Sequence, residues 1–394
     1  MNFSDAIKRN RFHDFSVTLD STGPVTVRQT EHEFFFGSNV FGLVRGVEPE
    51  KLAQYQDAVT RLWNFGTLPF YLGRYEPEEG KPDQENVMAA AKWCREHGLT
   101  TKGHPLCWHT VCADWLLQYD NDTILRKQLD RIRRDVGVYA GVIDMWDVIN
   151  EVVIMPVFDK YDNAVTRICN HIGAVELTVK CFQTARETNP EAILLINDFD
   201  LSPRYEELIE RLLEKDCPID VIGLQSHQHK RYHGAEYTLD AIERFSRFGK
   251  PIHFTETTIL SGRAFPPGLE DLNDYTSDDW PSTPEGEETQ LAQVEEYYSA
   301  VFSHPATGAL IWWDPRDGGW LGAPAGLFRK DLTPKPAFTR LEQLIKGEWW
   351  FGEKEVPVGP GGVVRFTGPA GKYEVVSRDG NRREVVLTRE RPTA

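Results

Sequence analysis

Residues 142–151 read VIDMWDVINE, an apolar and largely β-branched run that ends abruptly in Asn150-Glu151. Gly141 stands before it. A short apolar run of this kind is typical of a strand that is buried on both faces of a parallel sheet. A barrel of such strands places its catalytic side chains just past the carboxyl ends of the strands. The run therefore predicts a buried strand with a functional carboxylate at its end.

A second run, KPIHFTE at residues 250–256, has the same form and ends in Glu256. Two carboxyl groups at strand ends are what the hydrolysis of a glycosidic bond requires. One protonates the leaving oxygen, and the other attacks the sugar or activates water. The alternative is that each glutamate caps the helix after it, where backbone N–H groups are free.

Apolar strands and amphipathic helices alternate along most of the chain. Strands are predicted near 34–40, 64–70, 99–108, 142–150, 192–198, 219–227, 251–256 and 307–314. Helices are predicted near 49–63, 84–97, 121–139, 170–188, 203–215, 238–248, 285–303 and 336–346. Eight strands alternating with eight helices is the pattern of an α/β TIM barrel.

The two ends of the chain have a different pattern. Residues 14–19 and 25–28 alternate apolar and polar side chains around the sequence STGP at 21–24, which predicts a hairpin. After residue 350, alternating runs at 363–366, 373–377 and 384–387 predict further strands. We therefore expect a hairpin at 1–30, a catalytic barrel at 31–348 and strands at 349–394, with the terminal segments joined in one small sheet.

Composition limits the partners and the location. The 394 residues carry a net charge of −16, which disfavours nucleic acid and anionic membranes and suits a neutral carbohydrate. The N-terminus lacks the apolar core of a signal peptide, and no apolar run is long enough to span a bilayer. The sequence thus predicts a cytoplasmic protein without a nucleic-acid or membrane partner.

The six cysteines include no CxxC pair and are expected to be buried, reduced thiols. Cys107 and Cys112, beside His104 and His109, do not have the spacing of a standard zinc site. We expect neither a metal nor a cofactor.

Further motifs follow one another in order along the barrel. They are FFGSN at 35–39, GHPLCWH at 103–109, ADWL at 113–116, WDVINE at 146–151, IND at 196–198, IGLQSH at 222–227, FTE at 254–256 and TPKPAF at 333–338. In this order, over residues 30–346, they resemble the motifs of the family 10 glycoside hydrolases, the xylanase family.

The resemblance implies a role for each matching residue. Glu151 would act as general acid and then base, and Glu256 would be the ionised nucleophile of a retaining enzyme, with the two carboxyl groups ~5–5.5 Å apart. Asn150 would bind the sugar 2-hydroxyl. His227 would hold the nucleophile in position, and Gln225 would line the same site.

Aromatic and cationic residues complete the implied site. His104 and Trp108 would form a wall beside the sugar that is attacked, and Trp312 and Trp320 would stack on sugar faces. Without the resemblance, the alternative for Trp108, Trp312 and His104 is that they are core residues, and for His104 this alternative has equal weight. His227 and His229, with one residue between them, also have the spacing of a metal-binding pair.

The chain departs from the family pattern after the second barrel strand. There the xylanases place polar residues that bind a second xylose, whereas this chain has Pro69, Phe70 and Gly73, with Arg74 as the nearby cation. A glutamine of the family is replaced near Val111. We expect these changes to alter substrate preference.

Two further features lie near the predicted nucleophile. Thr258 stands where the family has an aspartate, which is expected to weaken the network behind Glu256. The long segment 261–284 is expected to cover the site.

The sequence thus predicts a retaining glycoside hydrolase that cleaves β-linked oligosaccharides or glycoconjugates. The activity implied by the resemblance is that of an endo-1,4-β-xylanase or an exo-acting β-xylosidic enzyme. The alternatives are a non-catalytic glycan-binding barrel and a metal-dependent amidohydrolase. The sugar, its linkage, the endo or exo mode and the oligomeric state are left open.

Overall fold

The computed structural model describes residues 2–20, 23–269, 271–391 and 393, and its centre is a closed barrel of parallel strands. In chain order the strands are Phe12–Thr18 (β1), Val25–His32 (β2), Phe35–Asn39 (β3), Phe65–Pro69 (β4), Thr100–His104 (β5), Met145–Asn150 (β6), Ile193–Asp198 (β7), Val221–His227 (β8), Ile252–Thr258 (β9), Thr307–Trp312 (β10), Glu353–Val356 (β11), Val358–Gly359 (β12), Val363–Pro369 (β13), Gly371–Val376 (β14) and Arg382–Leu387 (β15). Strands β3 to β10 form the barrel in sequence order, and β10 closes it by pairing with β3. The predicted TIM barrel is confirmed.

The helices surround this barrel. In chain order they are Ser4–Arg11 (α1), Leu52–Leu62 (α2), Leu72–Tyr75 (α3), Gln84–Glu96 (α4), Asn121–Val138 (α5), Ala164–Ile172 (α6), Ala174–Thr188 (α7), Pro203–Leu213 (α8), Gly234–Ser246 (α9), Pro284–Ser303 (α10) and Pro336–Gln343 (α11). The single helix predicted at 170–188 is divided between α6 and α7, because Gly173 adopts a φ of +90° that a helix does not contain. Among the described residues, no helix is both long and apolar enough to cross a membrane.

The burial of strand β6 explains why its sequence is mostly apolar. All of its residues are buried, because one face of a barrel strand points to the barrel interior and the other to the helices. Asp147 and Asn150 are its polar exceptions, and both belong to the site described below. The strand ends at the rim of the barrel, where Glu151 follows.

The terminal segments form two antiparallel sheets rather than one, and the predicted N-terminal hairpin is wrong. Strand β1 pairs with β13, whereas β2 pairs with β11 and β14. The two sheets enclose a common apolar cluster that includes Phe15 and Val27. The alternating pattern was read correctly, but it does not specify which strand is the partner. Ser21 and Thr22 of the predicted turn lie outside the described residues.

Helix α1 also differs from the expectation that residues 1–30 belong to the terminal module. Its Ile7 packs in the main barrel cluster, and Asn10 donates a hydrogen bond to the Ser303 carbonyl at the end of α10 (2.9 Å). Arg11 donates to the Phe302 carbonyl (2.6 Å). These contacts attach the start of the chain to the barrel.

Candidate active site

A cavity of about 970 Å³ lies at the carboxyl ends of the barrel strands. It is lined by every predicted site residue except Trp312, namely Arg74, His104, Trp108, Asn150, Glu151, Gln225, His227, Glu256 and Trp320. These residues come from six different barrel strands or the loops after them. The fold therefore brings together residues that are far apart in the sequence.

Glu256 is buried near the end of β9 and is held by three side chains. Asn197 Nδ2 donates a hydrogen bond to Glu256 Oε1 (2.8 Å), and His227 Nε2 lies 3.1 Å from Oε2. His104 Nε2 lies 3.8 Å from Oε1. Burial alone raises the pKa of Glu256, but His104, His227 and Lys102 outweigh it, and the net pKa lies below the ordinary value. Glu256 is therefore ionised, as a nucleophile must be.

Glu151 has the opposite electrostatic state. Trp108 Nε1 donates a hydrogen bond to Oε2 (2.8 Å) and Gln225 Nε2 donates to Oε1 (3.2 Å). Burial, followed by the negative charges of Glu256 and Asp198, raises the pKa of Glu151 to about 8. A carboxyl group that keeps its proton at neutral pH can act as a general acid.

The backbone of Glu151 is also unusual. Its φ is +57°, in the left-handed region that non-glycine residues rarely adopt. Its N–H donates to the Asn197 carbonyl (2.8 Å), at the end of the neighbouring strand β7. A strained residue held by a tertiary contact is a common property of functional sites.

Two amide side chains connect the carboxyl groups. Asn197 Nδ2 donates to Asn150 Oδ1 (2.9 Å) as well as to Glu256. Gln225 Nε2 donates to the same Asn150 oxygen (3.2 Å) and to Glu151. Asn150 is thus fixed between the two carboxyl groups. Asn197 was not among the predicted site residues, although its position at the end of a predicted strand was the available signal.

His104 contacts a buried ion pair of Lys102 and Asp147 through Nδ1, the ring nitrogen that does not face Glu256. Lys102 Nζ and His104 Nδ1 lie 2.6 and 2.7 Å from Asp147 Oδ2. Burial alone raises the pKa of Asp147, but Lys102 and His104 outweigh it, so the net pKa lies below its usual range. Asp147 thereby orients the His104 ring toward Glu256. Lys102 and Asp147 were not predicted as site residues, although a polar residue inside a predicted core strand was an available signal for each.

The prediction that Trp312 stacks on sugar is wrong. Trp312 is fully buried, donates its Nε1–H to the Ala325 carbonyl (3.0 Å) and lies against Tyr298 of α10. Successive side chains of a strand point to opposite sides, so it is Trp313 that lines the cavity. The Trp313 ring lies 5.3 Å from His104 and 6.2 Å from His227.

Trp320 lies where a substrate-binding residue was predicted. Its ring lies 4.4 Å from His227 and 5.0 Å from His229. Trp108 contacts Tyr71 at 5.4 Å, and Tyr71 in turn lies 5.5 Å from His104. These rings form an aromatic wall around the two carboxyl groups, the kind of surface that stacks on a sugar face.

The segment after β4 forms only part of the cavity wall. Pro69, Tyr71 and Arg74 line the cavity, as the sequence partly suggested. Phe70, by contrast, is fully buried and packs on other core aromatic rings, and Gly73 lies against the backbone carbonyls of residues 111 and 112. Of the three replacements that the sequence indicated, Pro69, Phe70 and Gly73, only Pro69 lines the cavity, and Tyr71 lies beside it.

The network behind Glu256 ends in a neutral group. His227 Nδ1 lies 3.3 Å from Thr258 Oγ1, at the position where the sequence suggested a departure. The Thr258 hydroxyl can still orient the His227 ring, but it carries no charge. The contact between His227 and Thr258 is present, and the weaker support for the nucleophile stays a prediction.

The loop between β9 and α10 lines the cavity with residues 271–274. Its own apolar cluster, which contains Phe265 and Trp280, packs against Ala323 and Ala325 of the loop after β10. The expectation that the segment 261–284 covers the site is consistent with this position.

Known proteins resemble this chain in sequence and in fold. The family model described as Glycosyl hydrolase family 10 matches residues 54–344. An endo-1,4-beta-xylanase of Geobacillus stearothermophilus is 26% identical over 331 residues, covering 78% of this chain and 96% of that protein. An endo-1,4-beta-xylanase/feruloyl esterase of Xylanibacter ruminicola is 28% identical over 208 residues, which is 47% of this chain but only 28% of that longer protein.

Solved structures show the same fold. The native xylanase 10B of Thermotoga maritima has a TM-score of 0.63 at 22% identity, covering 80% of this chain and 96% of that one. The xylanase 10B of Thermotoga petrophila, solved with xylobiose, has a TM-score of 0.65 at 21% identity, covering 80% and 95%. With the family model spanning most of the barrel and two carboxyl groups at the ends of β6 and β9, this chain belongs to glycosyl hydrolase family 10.

Proposed function

We propose that this glycoside hydrolase cleaves β-linked xylose oligomers or polymers with retention of anomeric configuration. The observation that carries the proposal is a pair of strand-end carboxyl groups, Glu151 and Glu256, linked in one cavity by the amides of Asn150, Asn197 and Gln225. The pKa of Glu151 is raised to about 8, while that of Glu256 is lowered. Two titratable groups whose environments shift their pKa values in opposite directions can be assigned as the acid and the base of a reaction.

In the first step Glu256 attacks the anomeric carbon and the bond to the leaving oxygen breaks. Glu151 gives its proton to that oxygen, and a glycosyl ester on Glu256 remains. Esterification removes the negative charge that helps to raise the pKa of Glu151. Glu151 is then a better base, takes a proton from water, and the resulting attack on the anomeric carbon releases the sugar and restores both residues.

The residues around this pair support binding of one sugar ring. Asn150, fixed by Asn197 and Gln225, is proposed to bind the 2-hydroxyl of that sugar. A hydrogen bond at this hydroxyl strengthens in the transition state. Trp108 and Trp313 would pack on the faces of the sugar. The xylanases among the relatives support xylose as the sugar.

A second candidate is a different β-linked oligosaccharide or a glycoconjugate. The segment after β4 favours it, because Pro69 and Tyr71 line the cavity and Arg74 is the cation beside them. A subsite that loses hydrogen-bonding groups rejects a substrate that needs them. This segment is compatible with both endo and exo action on xylose chains.

The test is hydrolysis of a panel of aryl β-glycosides and xylo-oligosaccharides by wild type and Glu256→Ala. Aryl xyloside turnover that is lost in the variant, with the β-anomer as first product by NMR, is the expected result. Azide should restore turnover in Glu256→Ala, and the product should be an α-glycosyl azide. Turnover of another β-glycoside alone would favour the second candidate, and inactivity on the whole panel would contradict both.

A further inference from the structure

An ion-paired bridge connects two loops at the mouth of the cavity. Lys160 lies in the loop between β6 and α6, and its Nζ is 2.6 Å from Asp271 Oδ2 and 2.6 Å from Asp274 Oδ1. Both aspartates lie in the loop between β9 and α10. All three residues line the cavity. One cation thus joins the loops that follow the two catalytic strands.

The aspartates belong to a loop that packs around its own apolar cluster and bonds to the segment after β8. Trp280 Nε1 donates to the Arg263 carbonyl (2.8 Å), and the Arg263 guanidinium lies 5.4 Å from the Trp280 ring centre. The Phe265 N–H donates to the His229 carbonyl (3.1 Å) in the segment after β8. Leu272 and Tyr275, which are sequence neighbours of the two aspartates, pack against the cluster of Phe265 and Trp280, and this packing positions Asp271 and Asp274 for Lys160.

The strand order shows which part of the cavity the bridge covers. Strands β7 and β8 lie between β6 and β9 in the barrel. A connection from the loop after β6 to the loop after β9 must therefore pass over the sector of the cavity above β7 and β8. The bridge encloses this sector, which begins immediately beyond Glu151.

This sector is where the leaving group must lie. The general acid contacts the oxygen that departs, so the leaving group extends past Glu151. Phe199 follows β7 and Tyr237 lies on α9, which follows β8; both residues line the cavity, and they are 48% and 45% exposed. The enclosed sector therefore offers two exposed aromatic rings to the leaving group.

We propose that the Lys160 bridge is a specificity device that restricts the enzyme to short leaving groups, about one or two sugars or an aryl group in size. This inference rests on the proposed function. A longer chain on the leaving side would meet the bridge and would require it to open. Lys160 acts by positioning the two loops and takes no part in proton transfer.

The test uses xylohexaose labelled at its reducing end, so that the labelled product reports the length of the leaving group. Wild type is expected to release labelled xylose and xylobiose. Lys160→Gln should increase the ratio of longer to shorter labelled products about three- to tenfold, the range expected when two partly exposed ion pairs on one lysine are lost. Turnover of an aryl xyloside should stay unchanged, because its leaving group does not reach the bridge.

Two control variants separate the bridge from a general effect of charge. Lys160→Arg keeps the cation and should retain the wild-type product pattern. Lys180→Gln removes a lysine of similar exposure that pairs with Glu176 on α7, outside the cavity, and should have no effect. An unchanged product ratio in Lys160→Gln, or an equal change in Lys180→Gln, would overturn the proposal.

Amide hydrogen exchange distinguishes failure of this inference from failure of the proposed function. Inactivity of wild type on every xylose substrate would refute the proposed function alone. The bridge itself requires faster exchange at residues 153–163 in Lys160→Gln than in wild type or Lys160→Arg. Equal exchange in all three proteins would overturn the bridge whatever the substrate.

Discussion

Replacing Glu151 by glutamine should stabilise the protein at neutral pH while it abolishes acid catalysis. Desolvation, with the charges of Glu256 and Asp198, raises the pKa of Glu151 from 4.5 to about 8. Between these values the folded protein holds a proton that the unfolded chain has released, so stability falls as pH rises across this window. Glutamine is neutral in both states, and the variant does not have this pH-dependent loss.

The magnitude follows from the size of the shift. At ~1.36 kcal/mol per pKa unit, the interval from 4.5 to pH 7 sets an upper bound of about 3.4 kcal/mol. Glu151 is partly exposed to the cavity, and a charged carboxylate there would recruit water, so we expect about 1–3 kcal/mol at pH 7. For a chain of 394 residues that is a rise in Tm of about 1–4 °C.

The assay is thermal unfolding of wild type and Glu151→Gln at pH 4.5 and pH 7. The gain should be present at pH 7 and nearly absent at pH 4.5, where Glu151 is largely protonated in the folded state and half protonated in the unfolded one. Glu207→Gln, at an exposed position of α8, controls for the general loss of a negative charge. A gain of equal size at both pH values, or no gain at pH 7, would refute the reasoning.

Three further predictions concern activity and stability. The basic limb of kcat/KM against pH should lie near pH 8, and Trp108→Phe should move it to higher pH, because the indole hydrogen bond favours the ionised form of Glu151. Trp313→Ala should lower kcat/KM for aryl xyloside by about 10- to 100-fold, whereas Trp312→Phe should lower Tm with little change in KM; the reverse pattern would contradict the strand register. Lys102→Met should destabilise the protein by about 3–5 kcal/mol in denaturant unfolding, since the buried Asp147 carboxylate loses its lysine and keeps only His104; a loss below about 1 kcal/mol would show that the ion pair is not what holds this network.

The tryptophan pair at the end of β10 shows where local pattern was insufficient. Both Trp312 and Trp313 are apolar and adjacent, so hydrophobicity does not tell which one faces the cavity. The register of β10 against β3 decides it, because Trp312 is paired with Ser38 and its ring is directed to the helices. One residue of register moves a side chain to the opposite face.

The terminal strands are a second case in which a local pattern does not specify a tertiary contact, here the pairing of whole strands. Their alternating residues were identified correctly, and Phe15, Val17, Val25 and Val27 are all buried. A neighbouring strand in sequence is the simplest partner, but β1 and β2 pair with strands from the opposite end of the chain. Strand pairing depends on which surfaces the barrel brings close together.

The sequence by itself determined the order of strands and helices, the closed barrel they form and the two glutamates at the ends of β6 and β9. These follow from local periodicity and from motifs that are contiguous in the chain. The resemblance implied an acid at Glu151 and an ionised Glu256, but only the tertiary structure decided which surroundings shift their pKa values, that Asn197 connects them, and that Lys160 bridges two loops. Desolvation, charge coupling and long-range contact act through distances in space, and these distances exist only once the barrel has closed.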